Sequence, residues 1–250
     1  FGETGKFGEW LPKKYTGTYG TNGFYLEGKD SADIGKDTSG NGNDWTNTNV
    51  VQVTDTPTDN YCVMNPLNKG VNLTTYNGNL RVMNTTTGHQ SCLGTMGMKS
   101  GKWYCELTVV GTSGGNFFGI ADTAYAPTSS PTVVGSYCYG PSYLGTKYNN
   151  GVVSPYGPIF RDDGTVIGVA FDADAGSLTF YKDGVSLGVS ATGISMATEW
   201  FFVGDNYLAP TDGFLANFGQ KPFAYAPPTG YKALSTQNLP DATVVPSDSF

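Results

Sequence analysis

The sequence predicts an all-β protein, a two-sheet antiparallel β-sandwich of the jelly-roll kind, and three observations carry that prediction. The first is composition. Of 250 residues, 35 are Gly, 16 Tyr and 14 Phe, while only 14% are charged, a balance rich in turn and strand formers and poor in helix formers. The second is alternation. In "GKWYCELTVVG", Trp103, Cys105, Leu107 and Val109 share one face and Tyr104, Glu106, Thr108 and Val110 share the other, as in a strand covered on at least one side. The third is punctuation. "NFFGIAD", "TVIGVAFD", "SLTFYKDG", "VSLGVS", "EWFFVGD" and "GFLANFG" are short and bounded by Gly, Asp, Asn or Pro, and no segment sustains an apolar period of 3.6 residues.

Taken in order, residues 1–20 read as an N-terminal arm or linker. Residues 21–224 read as one sandwich, with extra N-terminal strands in 21–87 and the central strands in about 88–222. Residues 225–250, rich in Pro, Thr and Ser, read as a C-terminal linker toward a further domain. Within the sandwich, "VIGVAFD" is an apolar strand stopped by the turn residues of "DADAG". "SLTFYK" is the returning strand, with Leu178 and Phe180 facing in and Thr179 and Tyr181 facing out. "DG" at 183–184 is a two-residue hairpin signal, because a type I′ turn needs positive φ at both central positions. The stretch is therefore a three-stranded meander with its carboxylates at the corners.

Several classes are excluded by charge and motif. The net charge is −7 and the pI about 4.6; no basic run occurs, so no nucleic-acid partner is expected. No run approaches the roughly 18 apolar residues of a membrane span, so no membrane insertion is expected. Cys62, Cys92, Cys105 and Cys138 lack metal-ligand or framework spacing and read as buried thiols. His89 is the only histidine. It has no companion ligands for zinc, and no nucleophile elbow supports a Ser–His–Asp triad. "GTSGG" at 111–115 lacks the strand–helix context of a phosphate loop. No cofactor or metal is expected.

The motifs "SGKWYCEL", "YNNGVVSPYGPIF", "GTVIGVAFDADAGSLTFYKDGVSLG" and "LANFGQKPF", in that order, resemble the SPRY (B30.2-like) domain, which implies a concanavalin-like sandwich. Thr165 replaces the family's usual acid, Asp183 its usual Asn, and Cys105 a frequent aromatic. The flanks, "KKYTGTYGTNGFYLEGKDSADIGKDTSGNGNDWT", "DTPTDNYCVMNPLNKGVNLTTYNGNL" and "FAYAPPTGYKALSTQNLP", resemble the surroundings of SPRY domains in bacteriophage structural proteins of tail-fibre type. That resemblance implies a virion protein, at the tail fibre or particle surface and oligomeric. Its partners would be a host surface receptor or glycan and other virion structural proteins. "DATVVPSDSF" then reads as an inter-domain segment of a longer polypeptide.

Candidate site residues follow from loop chemistry. Asp172 and Asp174 lie roughly 6–7 Å apart by strand rise, a spacing compatible with a glycosidase pair, yet they read as turn residues. Glu106 reads as a partnered sheet carboxylate, because a lone carboxylate completes no acid–base pair. Asp37, Ser39, Asn41 and Gly42 match the first half of a calcium loop, but Thr48 stands where the bidentate Glu belongs, and a turn closed by Asx hydrogen bonds is preferred. The loop aromatics remain. Tyr125, Tyr143, Asp205, Asn206 and Tyr207 are the expected ligand contacts, on the ground that tyrosine offers a flat apolar face with a polar tip. The reading is a non-enzymatic module that recognises a host surface molecule through avidity. A structural decoration or fibre-spacer domain is the alternative, and a polysaccharide depolymerase a third.

Overall fold

The computed structural model describes residues 2–5, 8, 10–48, 50, 52, 55, 59–112, 114–140, 145–207 and 212–239. The chain divides into two compact units, Phe1–Val53 and Thr54–Phe250.

The first unit starts with a small hairpin, β1 (Gly2–Thr4) antiparallel to β2 (Trp10–Pro12), where an arm was expected. Its described residues from 13 onward form a loop structure organised by one carboxylate. Asp37 accepts the backbone N–H groups of Tyr25 and Ser39 on Oδ1, at 2.8 Å each. On Oδ2 it accepts the Ser39 hydroxyl at 2.7 Å and the Asn43 N–H at 3.0 Å. Burial works to raise this carboxyl's pKa, but the hydrogen bonds from Tyr25, Ser39 and Asn43 outweigh it and hold the group well below the usual range. Asn41 donates to the carbonyls of Gly20 and Gly23, 2.8 Å each. The oxygens of the calcium-like stretch are thus spent on backbone and hydroxyl donors, which is Asx-turn chemistry.

The second unit is the predicted two-sheet antiparallel sandwich. Its strands are β3 (Met64–Lys69), β4 (Leu73–Tyr76), β5 (Arg81–Asn84), β6 (Gln90–Gly94), β7 (Lys102–Val110), β8 (Asn116–Asp122), β9 (Ser136–Gly140), β10 (Thr146–Asn149), β11 (Val152–Pro155), β12 (Val166–Asp172), β13 (Ser177–Lys182), β14 (Val185–Ala191), β15 (Trp200–Asn206), β16 (Gly213–Asn217) and β17 (Lys232–Ala233). One sheet runs β11-β10-β9-β8-β15-β6-β3; the other runs β14-β13-β12-β7-β16-β5-β4, with β17 added beside β7. The core lies between them. Trp103, Cys105, Leu107 and Val109 of β7 meet Phe118 and Ile120 of β8, Tyr139 of β9 and Phe202 of β15, all buried. All four cysteines are buried free thiols, and burial pushes Cys62 up to about 11.

The central meander follows the sequence pattern. β12 and β13 pair antiparallel with Val169 opposite Phe180. Asp183 and Gly184 turn the chain with φ of 49° and 79°, the left-handed geometry that the "DG" signal requires. Gly184 is required on a second count, because a Cβ there would lie 2.4 Å from the Tyr225 ring.

Both flanks of the sandwich depart from expectation. Residues 64–84 do add strands, but residues 21–53 fall in the first unit. That segment is dense in Gly, Asn and Asp, and its hydrogen bonds close locally around Asp37. Residues 225–239 form a strap on the second unit where a linker was expected. β16 pairs with β7 only from Glu106 onward, leaving the edge of Trp103 and Tyr104 open, and β17 fills that edge in parallel register. Leu234 is fully buried in the core. Glu106, only 2% exposed, accepts the N–H groups of Ala224 at 2.8 Å and Tyr225 at 2.9 Å.

Two substitutions test the strap. Glu106→Ala removes the acceptor for two partly buried N–H groups and should lower unfolding free energy by about 2–4 kcal/mol, since hydrogen bonds to charged groups contribute about 1.5–3 kcal/mol each. Leu234→Ala should cost about 2–5 kcal/mol as a core truncation. Urea unfolding of the full chain measures both; losses within about 0.5 kcal/mol of zero would mean that the strap is not part of the folded unit.

Candidate recognition site

The strand registers sort the loops into two ends. The β5–β6, β7–β8, β11–β12 and β15–β16 connections and the β13–β14 turn lie at one end. The β6–β7, β8–β9, β12–β13 and β14–β15 connections lie at the other.

At the first end, Tyr207 follows the last residue of β15. Its N–H donates to the Gly115 carbonyl at 2.8 Å, and its own carbonyl accepts the Gly88 N–H at 2.9 Å. The β7–β8 and β5–β6 loops thus clamp its backbone. The residue is 44% exposed, and its ring packs on the His89 imidazole with centroids 4.7 Å apart. The imidazole lies edge-on to Phe117 at 5.2 Å, and its Nδ1 meets Asp205 Oδ1 at 2.8 Å. The result is an aromatic surface fixed before any ligand arrives, with a phenol hydroxyl and an imidazole edge beside it. It suits stacking on an apolar face combined with hydrogen bonds to hydroxyl or amide groups.

Of the four expected contacts among the described residues, only Tyr207 is presented in this way. Tyr143 lies outside the described residues. Tyr125, Asp205 and Asn206 are buried, at 5%, 1% and 0% exposure, and this corrects their placement on loop tips. Tyr125 belongs to the β8–β9 loop, which starts at the opposite end and folds back over the outer face of its sheet. The Pro127 carbonyl accepts the Ser91 N–H at 2.7 Å, and the Tyr125 hydroxyl meets Ser91 Oγ and donates to the Ser129 carbonyl. Asp205 and Asn206 read as turn residues but continue β15, paired with Ser91 and Gln90. Strand alternation sends Asp205 to the outer face and Asn206 inward, where its amide donates to Asn116 Oδ1 at 2.9 Å.

His89 was missed as a recognition residue because its partners are remote in sequence. The signal that could have found it is its position directly before β6, opposite the end of β15. It does not build a hydrolase triad. Ser91 and His89 bind the two oxygens of Asp205 rather than each other, so the histidine is not placed to take the serine proton.

The meander carboxylates serve the fold. Asp172 makes an ion pair with Lys102 at 2.9 Å and accepts the Ala175 N–H at 2.9 Å. Burial alone would raise its pKa, but the Lys102 hydrogen bond and charge and the turn N–H groups hold it below the usual carboxylate range. Asp174 accepts the Gly101 N–H at 2.7 Å. The two carboxylates tie the β12–β13 turn to the start of β7.

Comparison with known proteins agrees with this architecture. Residues 102–203 match the SPRY domain model. A dual specificity protein kinase, splA, of Dictyostelium discoideum is 31% identical over 154 residues, 59% of this chain but 6% of that protein. The SPRY domain of human HERC1 superposes with a TM-score of 0.53 over 62% of this chain and 95% of that domain, at 19% identity. The second unit is thus a β-sandwich in which residues 102–203 match the SPRY model and which shares its fold with that solved SPRY domain. Among described residues, its exposed aromatic surface at the loop end is the β5–β6/β15–β16 platform of His89 and Tyr207.

Asp172→Asn and Asp174→Asn should each cost about 1–2 kcal/mol in denaturant unfolding, the worth of the turn hydrogen bonds, and leave partner binding unchanged. A loss of binding in either variant without loss of stability would return these carboxylates to the functional site.

Proposed function

We propose that this chain is a non-enzymatic recognition module that binds its partner through the loop end of the SPRY sandwich, with Tyr207 and His89 at the centre of the contact. SPRY domains typically act as protein-interaction modules, and the clamped Tyr207, its ring packed at a tilt against His89, is the observation that supports this use here. An aromatic held in place by two loops loses little entropy on binding, which is how rigid anchors dominate an interface.

The setting proposed is the exterior of a bacteriophage particle, of tail-fibre type, where several copies together engage a host surface molecule such as a glycan. The support is the resemblance of residues 13–46, 55–80 and 223–240 to the surroundings of SPRY domains in phage structural proteins. The kinase and HERC1 are eukaryotic and bear on the domain rather than on that setting. Weak loop contacts would gain strength from copy number, by factors of about 10²–10⁴ when geometry permits simultaneous engagement. A second reading, a structural domain docked on other virion subunits, draws support from the outermost strand β11. Its Val152 and Val153 are 67% and 54% exposed, an apolar strand at a sheet edge.

The two readings separate in one pair of measurements. Whole particles carrying Tyr207→Ala with His89→Ala should assemble normally and adsorb to host cells far less, with monovalent affinity down about thirtyfold, the effect of losing about 2 kcal/mol at an anchor. Particles carrying Val152→Lys should adsorb normally. Assembly failure in the valine variant, with unchanged adsorption in the aromatic variant, would favour the structural reading. Antibody labelling of intact particles shows whether the domain lies on their exterior.

A further inference from the structure

Four short contacts run in series from His89 to the β8–β9 loop. His89 Nδ1 meets Asp205 Oδ1, Asp205 Oδ2 meets Ser91 Oγ, Ser91 Oγ meets the Tyr125 hydroxyl, and that hydroxyl meets the Ser129 carbonyl, each at 2.8 Å. Each contact needs one hydrogen. The Ser129 carbonyl can only accept, so Tyr125 spends its hydrogen there. Ser91 must then donate to Tyr125, which leaves only a Ser91 lone pair facing Asp205. An ionised carboxylate has no hydrogen to give. With Asp205 ionised, His89, Ser91 and Tyr125 bring three hydrogens to these four contacts, and two oxygens are left facing each other without one. With a proton on Oδ2, every contact is filled.

We infer that Asp205 is held as the neutral carboxylic acid, donating from Oδ2 to Ser91, and that this one proton fastens the β8–β9 loop to the sheet. The inference does not depend on what the recognition surface binds. The competing state is the ion pair, in which the same proton sits on His89 Nε2. It leaves the pair's total charge unchanged but cannot fill the fourth contact. Burial pushes the Asp205 carboxyl up, outweighing what its ionised form would gain from the hydrogen bond and charge of His89, the Ser91 hydroxyl and the Gln90 N–H.

Among the described residues, the titratable groups facing Asp205 are His89 from the β5–β6 loop, Tyr125 from the β8–β9 loop and Cys138 from β9. Burial raises the pKa of both Tyr125 and Cys138 and keeps them neutral. The stretches 141–144 and 208–211 contain no charged residue.

The sign follows from the raised value. The acid's contribution is fully present below its ordinary pKa of 3.8 and is lost as pH rises through its folded value. On that rise the proton passes to solvent, the Ser91 hydrogen turns to the new carboxylate, and the link to Tyr125 is left without one. The β8–β9 loop is then tethered by one contact fewer.

Amide exchange of the full chain across pH, corrected for intrinsic rates, reads this at Tyr125 and Ser129, whose N–H groups bond within the loop to Asp122 and Ala126. Asp205→Asn mimics the acid, because its amide donates to Ser91 and its carbonyl accepts from His89. In the wild type, protection should fall about five- to tenfold as pH rises, the effect of one hydrogen bond. Asp205→Asn should keep protection at every pH, and Ser91→Ala should lack it at every pH. Asp205→Asn as damaging as Ser91→Ala would mean that the carboxylate charge holds the loop, and would overturn the inference. So would wild-type protection that does not change with pH. Infrared spectra of the wild type give a reading independent of any variant's folding: a carboxylic-acid C=O band assigned to Asp205 supports the inference, and its absence overturns it.

Discussion

Strand β7 must be paired along both edges, and the sandwich is arranged around that constraint. A central strand with unpaired N–H and C=O groups under covering chain would leave buried polar groups unsatisfied. β12 covers one edge from Lys102 to Thr108, and the loop before it bonds Val109 through the Thr165 carbonyl and the Gly164 N–H. The other edge is shared, β16 covering it from Glu106 to Val110 and β17 taking Trp103 and Tyr104. Glu106 stands where the two covers meet, and its carboxylate receives the strap that carries the chain from one to the other. The buried face of β7 supplies Trp103, Cys105, Leu107 and Val109 to the core. Packing and pairing therefore depend on the same nine residues.

The central meander was legible in the sequence because its signals are local. An apolar run marked β12, alternation set the inner and outer faces of residues 178–181, and "DG" at 183–184 set the turn. The strap was not legible. A strand of Lys232 and Ala233 is too short to show a period, and what calls it into the sheet is an edge left open by β16, far away in sequence. The same holds for Asp205 and Asn206. "GDNY" has turn chemistry, but pairing with Gln90 and Ser91 keeps these residues in β15 and turns both side chains away from the loop tip. Tyr207, one residue beyond the pairing, was recognisable. His89 was not, because its role depends on where β6 begins relative to the end of β15.

The polar residues at the loop end form a graded series from surface to interior. Tyr207 is exposed, His89 half-buried, Asp205 and Ser91 buried. A contact made at the surface is therefore backed by groups whose hydrogen bonds are already committed. That backing fixes the histidine ring in position, and it links the loops of one end to a loop that springs from the other.

The two flanks of the sandwich meet. The Cys62 N–H donates to the Leu234 carbonyl and the Thr236 N–H to the Asn60 carbonyl, 2.9 Å each, and Tyr61 and Ser235 form an antiparallel bridge. Entry and exit of the chain therefore lie side by side at one corner. A domain with this geometry hangs from its polypeptide as a pendant instead of forming a link in series. Tension drawn through the chain would act first on this short pair of flanks, in the unzipping direction, and the sheets behind it would feel force only after the corner had opened.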